Sequence, residues 1–229
     1  MLQRIKSKEL SDLPTIDTET YKSHALYLKN LNRFFLNHWL IFKFVNLLIK
    51  NFQTVSVLDI GTGIGDTLAY LAKKFRQSNT KYSFLGVDTN SVAVDLAKKY
   101  NADDSNIEFA HNYSKNQEGN FDVAIISQTL HHLDPKDVIK LLKNLRQKIN
   151  RGIIISDLIR SKFAYWLVKI LTYISTQNKI DLNDGPLSVL RSYSSSEIKL
   201  MLNQAGIKNF KIINIFPRKF IVIKFDKSL

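Results

Sequence analysis

The chain has 229 residues, 45% hydrophobic and 23% charged, the balance of a soluble globular protein with one domain and a sizeable core. It has no cysteine, which excludes a disulfide framework, a thiolate metal site and any mechanism that adds a cysteine nucleophile to a pyrimidine. Its formal charge of +13 invites an RNA or anionic-membrane partner, yet Lys and Arg are spread along the chain without a block of like charge.

The N-terminus, MLQRIKSKEL, carries basic residues with no apolar core behind them, so it does not read as a signal peptide and the expected location is the cytoplasm. Lys6–Thr20 is polar, contains Pro14, and reads as an extended or loosely ordered start. From Tyr21 a helical pattern begins, with Leu26, Leu28, Leu31, Phe34 and Phe35 at mixed three- and four-residue spacing. Trp39–Ile49 is almost wholly apolar but too short to span a bilayer, and Lys43 and Asn46 interrupt it. It reads either as a helix packed on a sheet or as a lid that touches an apolar substrate.

Val55–Asp66 then reads V-S-V-L-D-I-G-T-G-I-G-D. A short β-branched run ends in three alternating glycines, and a helical pattern starts at Thr67. Strand, glycine turn and helix bring backbone N–H groups and a helix N-terminus close to a ligand. Tyr82–Asp88 is a second apolar run ending in an acid, followed by helical spacing over Ser91–Tyr100. Ile107–Ala110 and Phe121–Ile126 read as strands three and four, Pro135–Lys148 as an amphipathic helix and Gly152–Ser156 as strand five. Arg160–Leu190 breaks the alternation with an apolar helix candidate, Phe163–Ile174, and a polar loop holding Asp184-Gly185-Pro186. Ser194 and Glu197 form a capping-box signature for a helix closed by Ala205-Gly206, and Lys211–Phe216 and Phe220–Phe225 read as a terminal strand pair around Pro217.

The D-x-G-x-G-x-G arrangement at Asp59, Gly61, Gly63 and Gly65 resembles motif I of the class I S-adenosylmethionine (SAM) methyltransferases. The resemblance implies a doubly wound, Rossmann-like α/β fold: a seven-stranded, mostly parallel sheet whose last strand is antiparallel. N-terminal helices and a helical insertion after strand five would be added to it. The corresponding division is an N-terminal helical extension or lid over 1–53 and a SAM-binding core over 54–229, with 160–190 as a helical cap. The implied cofactor is SAM, its methionine end on Asp59–Gly65 with Thr62, its ribose on Asp88 beside Thr89, and further contacts from Asn112 and Gln128. The family commonly has an Asp at the adenine position, where this chain has His111-Asn112-Tyr113.

Ser127-Gln128-Thr129-Leu130-His131-His132-Leu133 resembles the H-H-L segment of quinone- and polyketide-type methyltransferases, not the N-P-P-Y motif of enzymes that methylate exocyclic or amide nitrogens. Asn32–Phe35, Ile155–Arg160 and Asp184–Arg191 are similar to a subgroup of stand-alone methyltransferases of secondary metabolism. These likenesses imply a small apolar or aromatic acceptor, most simply methylated at oxygen. His132 is the favoured base, His131 the alternative, and Asp157 a base itself or the partner that fixes a histidine tautomer. No metal is expected, and nucleic acid is an unfavoured partner. An RNA methyltransferase and a SAM-fold protein that binds without catalysis are the rival readings. Peripheral membrane contact through Phe163–Ile174 is compatible with a lipid-like acceptor.

Overall fold

A computed structural model describes residues 2–13, 16–50, 52–112 and 120–225. Pro14 and Tyr113 lie outside the described residues. A short 3-10 turn at Leu10–Asp12 leads into helices α1 (Thr18–Phe34) and α2 (Asn37–Leu48). There follow β1 (Thr54–Ile60), α3 (Asp66–Gln77), β2 (Lys81–Asp88), α4 (Ser91–Tyr100), β3 (Ile107–His111) and β4 (Phe121–Ser127). A second 3-10 turn, Leu130–His132, precedes α5 (Pro135–Lys148) and β5 (Ile149–Leu158). The chain ends with α6 (Lys162–Ser175), α7 (Lys179–Arg191), α8 (Ser195–Gln204), β6 (Phe210–Ile215) and β7 (Arg218–Lys224).

The seven strands form one sheet in the order β3-β2-β1-β4-β5-β7-β6, with β7 antiparallel to both neighbours and the remaining pairings parallel. The chain winds outward from β1 to β3 and then returns to β4 beside β1. That reversal opens a crevice at the carboxyl ends of β1 and β4, where open α/β sheets bind ligands.

Strand side chains alternate between two apolar layers, as a sheet buried on both faces requires. Val57 and Ile125 join Phe44 of α2 and Leu71 of α3 on one face, while Leu58 and Ile126 join Leu142 of α5 and Leu202 of α8 on the other. Each fully buried side chain of this size contributes about 1.5–3 kcal/mol relative to exposure. Ile41 and Val45 of α2 are buried in the first layer, so α2 is a sheet-covering helix rather than part of a lid. A division at residue 53 therefore cuts through the packed core; of the described residues before β1, only those in or preceding α1 line the crevice, and none of 160–190, expected as a helical cap, lines it.

Two local expectations are corrected. The Asp184-Gly185-Pro186 segment is not a loop but the middle of α7. Long-range contacts override propensity there: a Cβ on Gly185 would lie 2.8 Å from Thr172 Oγ1, so glycine permits close packing of α6 on α7. Asp184 Oδ1 and Oδ2 accept from the N–H groups of Leu10 and Ser11 at 2.7 and 2.8 Å. For the same reason the described part of Lys6–Thr20 is not loose. Leu10–Asp12 is docked on α7, Glu9 is buried, and Asp17 caps α1 through Thr20 N–H.

Candidate active site

The glycine turn fits the crevice because its residues occupy left-handed backbone, with φ of 71°, 56° and 77° at Gly61, Gly63 and Gly65. Gly61 and Thr62 donate to Val87 O, stitching the turn to the end of β2. Nothing lies within 4 Å of where a Cβ on Gly63 would stand, and its N–H donates to Asp88 Oδ2 at 2.8 Å. This is an open backbone cradle. Gly65 differs. It is the N-cap of α3, it does not line the cleft, and a Cβ there would lie 2.6 Å from the Phe109 ring. Its expected cofactor contact is therefore corrected to a packing role behind the turn.

Carboxylates gather around this cradle. Asp59 is buried and accepts from Thr62 Oγ1 at 2.9 Å. Burial pushes its carboxyl up to about 7; the Thr62 hydrogen bond opposes this, and the charges of Asp66 and Asp88 add to it. Asp88 lines the cleft and accepts from Asn90 N–H at 3.0 Å through its second oxygen. Tyr21 of α1 lines the same wall, and its phenol is pushed up by burial and by the charge of Asp88. A site with clustered carboxylates and steric room beside the Gly63 backbone fits a ligand carrying a cationic group and a diol.

Thr89, Asn112 and Gln128 also line the cleft, as do Gly61 and Thr62. Asn112 and Gln128 have φ of 61° and 53°, each immediately after a strand, and such backbone costs of order 1–3 kcal/mol per residue. Both are held in place. Asn112 N–H donates to Asp88 O at 2.9 Å, and Gln128 N–H donates to Ser156 O at 2.7 Å, its side chain to Asn32 Oδ1 at 2.7 Å.

The two adjacent histidines separate. His131 is buried behind the wall, and its Nδ1–H donates to Asp157 Oδ1 at 2.8 Å. Burial would raise the Asp157 carboxyl, but the charge and hydrogen bond of His131, Lys219 and the Leu158 N–H hold it well below the usual range. Neither His131 nor Asp157 lines the cleft, so the structure does not bring them to an acceptor; they pair with each other behind its wall. His132 does line the cleft. Its Nδ1 has Asp12 Oδ1 at 2.8 Å, an ion-pair contact without ordinary hydrogen-bond alignment, and its Nε2 lies 3.7 Å from Glu9 Oε2. Burial lowers the imidazole, and the contacts with Asp12 and Glu9 outweigh it, leaving a net upward shift.

Sequence reasoning missed the N-terminal half of this wall. Glu9 lies 3.4 Å from Arg191 Nη1, and Asp12 accepts from it at 3.0 Å. Burial would raise the Asp12 carboxyl, but His132 and Arg191 hold it well below the usual range. Arg4 donates to the carbonyls of Arg191, His131 and Leu133. The available signal was four acids, Glu9, Asp12, Asp17 and Glu19, at the start of a basic chain. Glu9, His131 and His132 offer three donor atoms within 4.8 Å of one another, but Arg191 supplies the positive charge beside Glu9, so the network closes as ion pairs. The whole cleft has a volume of about 790 Å³, within the range of small-molecule sites. Leu28, Lys29 and Asn32 of α1 and Lys140 and Asn144 of α5 complete its rim.

Residues 58–153 match the methyltransferase domain family. No curated protein matches the chain. Among solved structures, a Nostoc punctiforme protein provisionally named an O-methyltransferase is 17% identical with a TM-score of 0.63, covering 91% of this chain and 60% of that one. The chain thus spans about three fifths of that protein's length. The plantazolicin methyltransferase BamL, solved with SAH and a triazolic substrate analogue, is 17% identical with a TM-score of 0.67, covering 90% and 94%. A SAM-dependent methyltransferase from Aquifex aeolicus is 19% identical with a TM-score of 0.63, covering 92% and 99%. At these identities the likeness is one of fold, and it is the domain match over the glycine turn and β4 that carries the chemistry. Residues 58–153 belong to a methyltransferase domain, and the seven-stranded Rossmann-like sheet that holds them is the fold these solved methyltransferases share.

Proposed function

We propose that this enzyme methylates a small apolar or aromatic acceptor at oxygen, in the manner of tailoring enzymes of secondary metabolism, in the cytoplasm. The observation that carries the reading is one cleft lined by two unlike sets of groups: the Gly63 turn with Asp59 and Asp88, and His132 with Leu13, Ile16, Leu133 and Leu141. When bound, SAM supplies a methyl group on a sulfonium, open to in-line attack. The chain's residues hold and orient. Asp88 has its remaining acceptor capacity for the ribose hydroxyls, Asp59 ionises beside the cationic amino group, and the Gly63 turn admits the methionine end without steric obstruction. Thr89, Asn112 and Gln128 lie along the same wall. Positioning of this kind accounts for about 7–11 kcal/mol of a barrier.

At the acceptor end His132 is the group that takes the proton of a phenolic hydroxyl, a step worth roughly 10²–10⁴-fold. It is competent only when neutral. The charged contacts with Asp12 and Glu9 therefore oppose its action until the N-terminal segment shifts. We infer that segment 2–13 and α1, braced from behind by α7, form the cover that admits the acceptor and excludes water when closed.

The test uses phenolic acceptors with the full chain. His132→Ala is expected to lower turnover about 10²-fold or more with SAM affinity intact, and His131→Ala to lower stability more than turnover. Near-wild-type turnover in His132→Ala would leave proximity as the mechanism. Asp88→Ala is expected to weaken SAM binding by about 1.5–3 kcal/mol, the worth of hydrogen bonds to a charged group. Calorimetry showing unchanged affinity would remove the ribose assignment.

A further inference from the structure

Helix α6 exposes one apolar face. Phe163, Trp166, Ile170, Tyr173 and Ile174 recur at helical spacing on one side and are 71, 56, 57, 79 and 71% exposed. The opposite side, Ala164, Val168 and Thr172, is buried and meets Gly185 of α7, so the exposed face is rigidly presented rather than frayed. Ser161 caps the helix through Ala164 N–H. Phe216, in the turn between β6 and β7, extends the patch, its ring 5.1 Å from that of Phe163. So large a contiguous exposed apolar surface marks an interaction site.

Charge decides the occupant. There is no Asp or Glu from Leu158 through Ile180, where Lys162, Lys169 and Lys179 are exposed. Nor is there one from Ile198 through Phe225, the stretch that supplies Phe216. Lys169 Nζ stands 5.0 Å from the Trp166 ring, its stem along the aromatic surface and its charge free to reach outward. A second copy of the chain would set lysines against lysines across such a face. An aromatic and aliphatic stripe flanked by lysines instead suits the boundary between anionic headgroups and acyl chains. Among the described residues no helix is long and apolar enough to cross a membrane, so α6 would lie on it. We propose that the α6 face with Phe216 is an attachment surface for anionic lipid bilayers. The proposal stands apart from the identity of the methyl acceptor.

The test is sedimentation with vesicles of phosphatidylcholine alone and of phosphatidylcholine with phosphatidylglycerol. Wild-type protein is expected to sediment with the anionic vesicles and to be released by salt. The variant I170S/Y173S should bind at least about tenfold more weakly, in line with the lost apolar burial, and K162E/K169E should lose the preference for anionic lipid. Unchanged SAH affinity in both shows that they fold. In W39F, Trp166 is the sole tryptophan, and brominated phosphatidylcholine should quench its emission. Equal binding by I170S/Y173S, an unquenched Trp166 in vesicle-bound protein, or no vesicle binding would overturn the proposal. So would a wild-type dimer in sedimentation equilibrium that I170S/Y173S abolishes, with no vesicle binding.

Discussion

Beneath the glycine turn, Asp59 keeps its proton to about pH 7, because burial and two neighbouring carboxylates penalise its charge. A folded value above the ordinary 3.8 means that the unfolded chain releases this proton first. The group's contribution to the stability of the ligand-free protein thus falls as pH rises from 3.8 toward 7. A bound cationic amino group favours the ionised form and acts in the opposite sense. Cofactor affinity is therefore expected to fall as pH drops below about 7, by up to about tenfold per unit, and Asp59→Asn should flatten the dependence. Calorimetric titration of SAH across pH reads both outcomes. His132 is raised, so its hold on Asp12 and Glu9 is complete below 6.5 and lost as pH rises through its folded value. Activity through a neutral His132 should rise over the same window, and Asp12→Asn should move the inflection in the pH profile of kcat/KM to lower pH.

At the scale of elements, the glycine turn divides its labour. Gly63→Ala places a methyl in open space, so only backbone strain of about 1–2 kcal/mol is added, and the loss should fall on cofactor binding. Gly65→Ala adds the same strain and drives a methyl into Phe109, for a destabilisation of roughly 2–4 kcal/mol. Urea unfolding of the two variants should separate them. Equal losses would show that Phe109 relaxes freely. Helix α7 makes the complementary point, since Gly185 and Pro186 sit inside it without ending it. Its buried acids hold it in place: Asp181 pairs with His24 of α1 at 2.6 Å, and Asp184 holds Leu10 and Ser11.

Across the whole molecule, those contacts tie the proposed cover, segment 2–13 with α1, to the α6–α7 pair behind it. Segment 2–13, α1 and the α6–α7 pair are tied through Asp181, Asp184, Arg191 and the bond from Tyr27 to Thr172. The sheet beneath is held by two apolar layers, whereas the cover rests on polar links and the small apolar clusters around α1 and α6. Opening should therefore occur in the cover at lower free energy than in the sheet. Hydrogen exchange should show protection in 18–34 and 162–191 rising when SAH and a phenolic acceptor bind, with β1 and β4 unchanged. Equal protection with and without ligands would make these segments plain scaffold. Asp184→Ala should raise exchange in residues 9–12 without altering SAH affinity.

The strand–helix order, the turn at Gly61–Gly65 and the acid closing β2 were legible in the chain alone, because each is written in local periodicity or in a residue type that the backbone demands. A seven-stranded, mostly parallel sheet with an antiparallel last strand followed from the same alternation and from the resemblance at Asp59–Gly65, whereas the strand order came from the structure. Other features depended on contacts between residues far apart in sequence. Asp184 meets Leu10 across 174 positions, and that pairing turned an apparent loop into a helix and an apparent tail into a wall of the cleft. His131 and His132 are chemically identical neighbours, and only the packing of Asp157 behind one and Asp12 before the other distinguishes them. Gly63 and Gly65 likewise share one motif, and only Phe109 tells them apart. Local pattern specifies the elements; which side chain faces the cleft is decided by what the rest of the fold places against it.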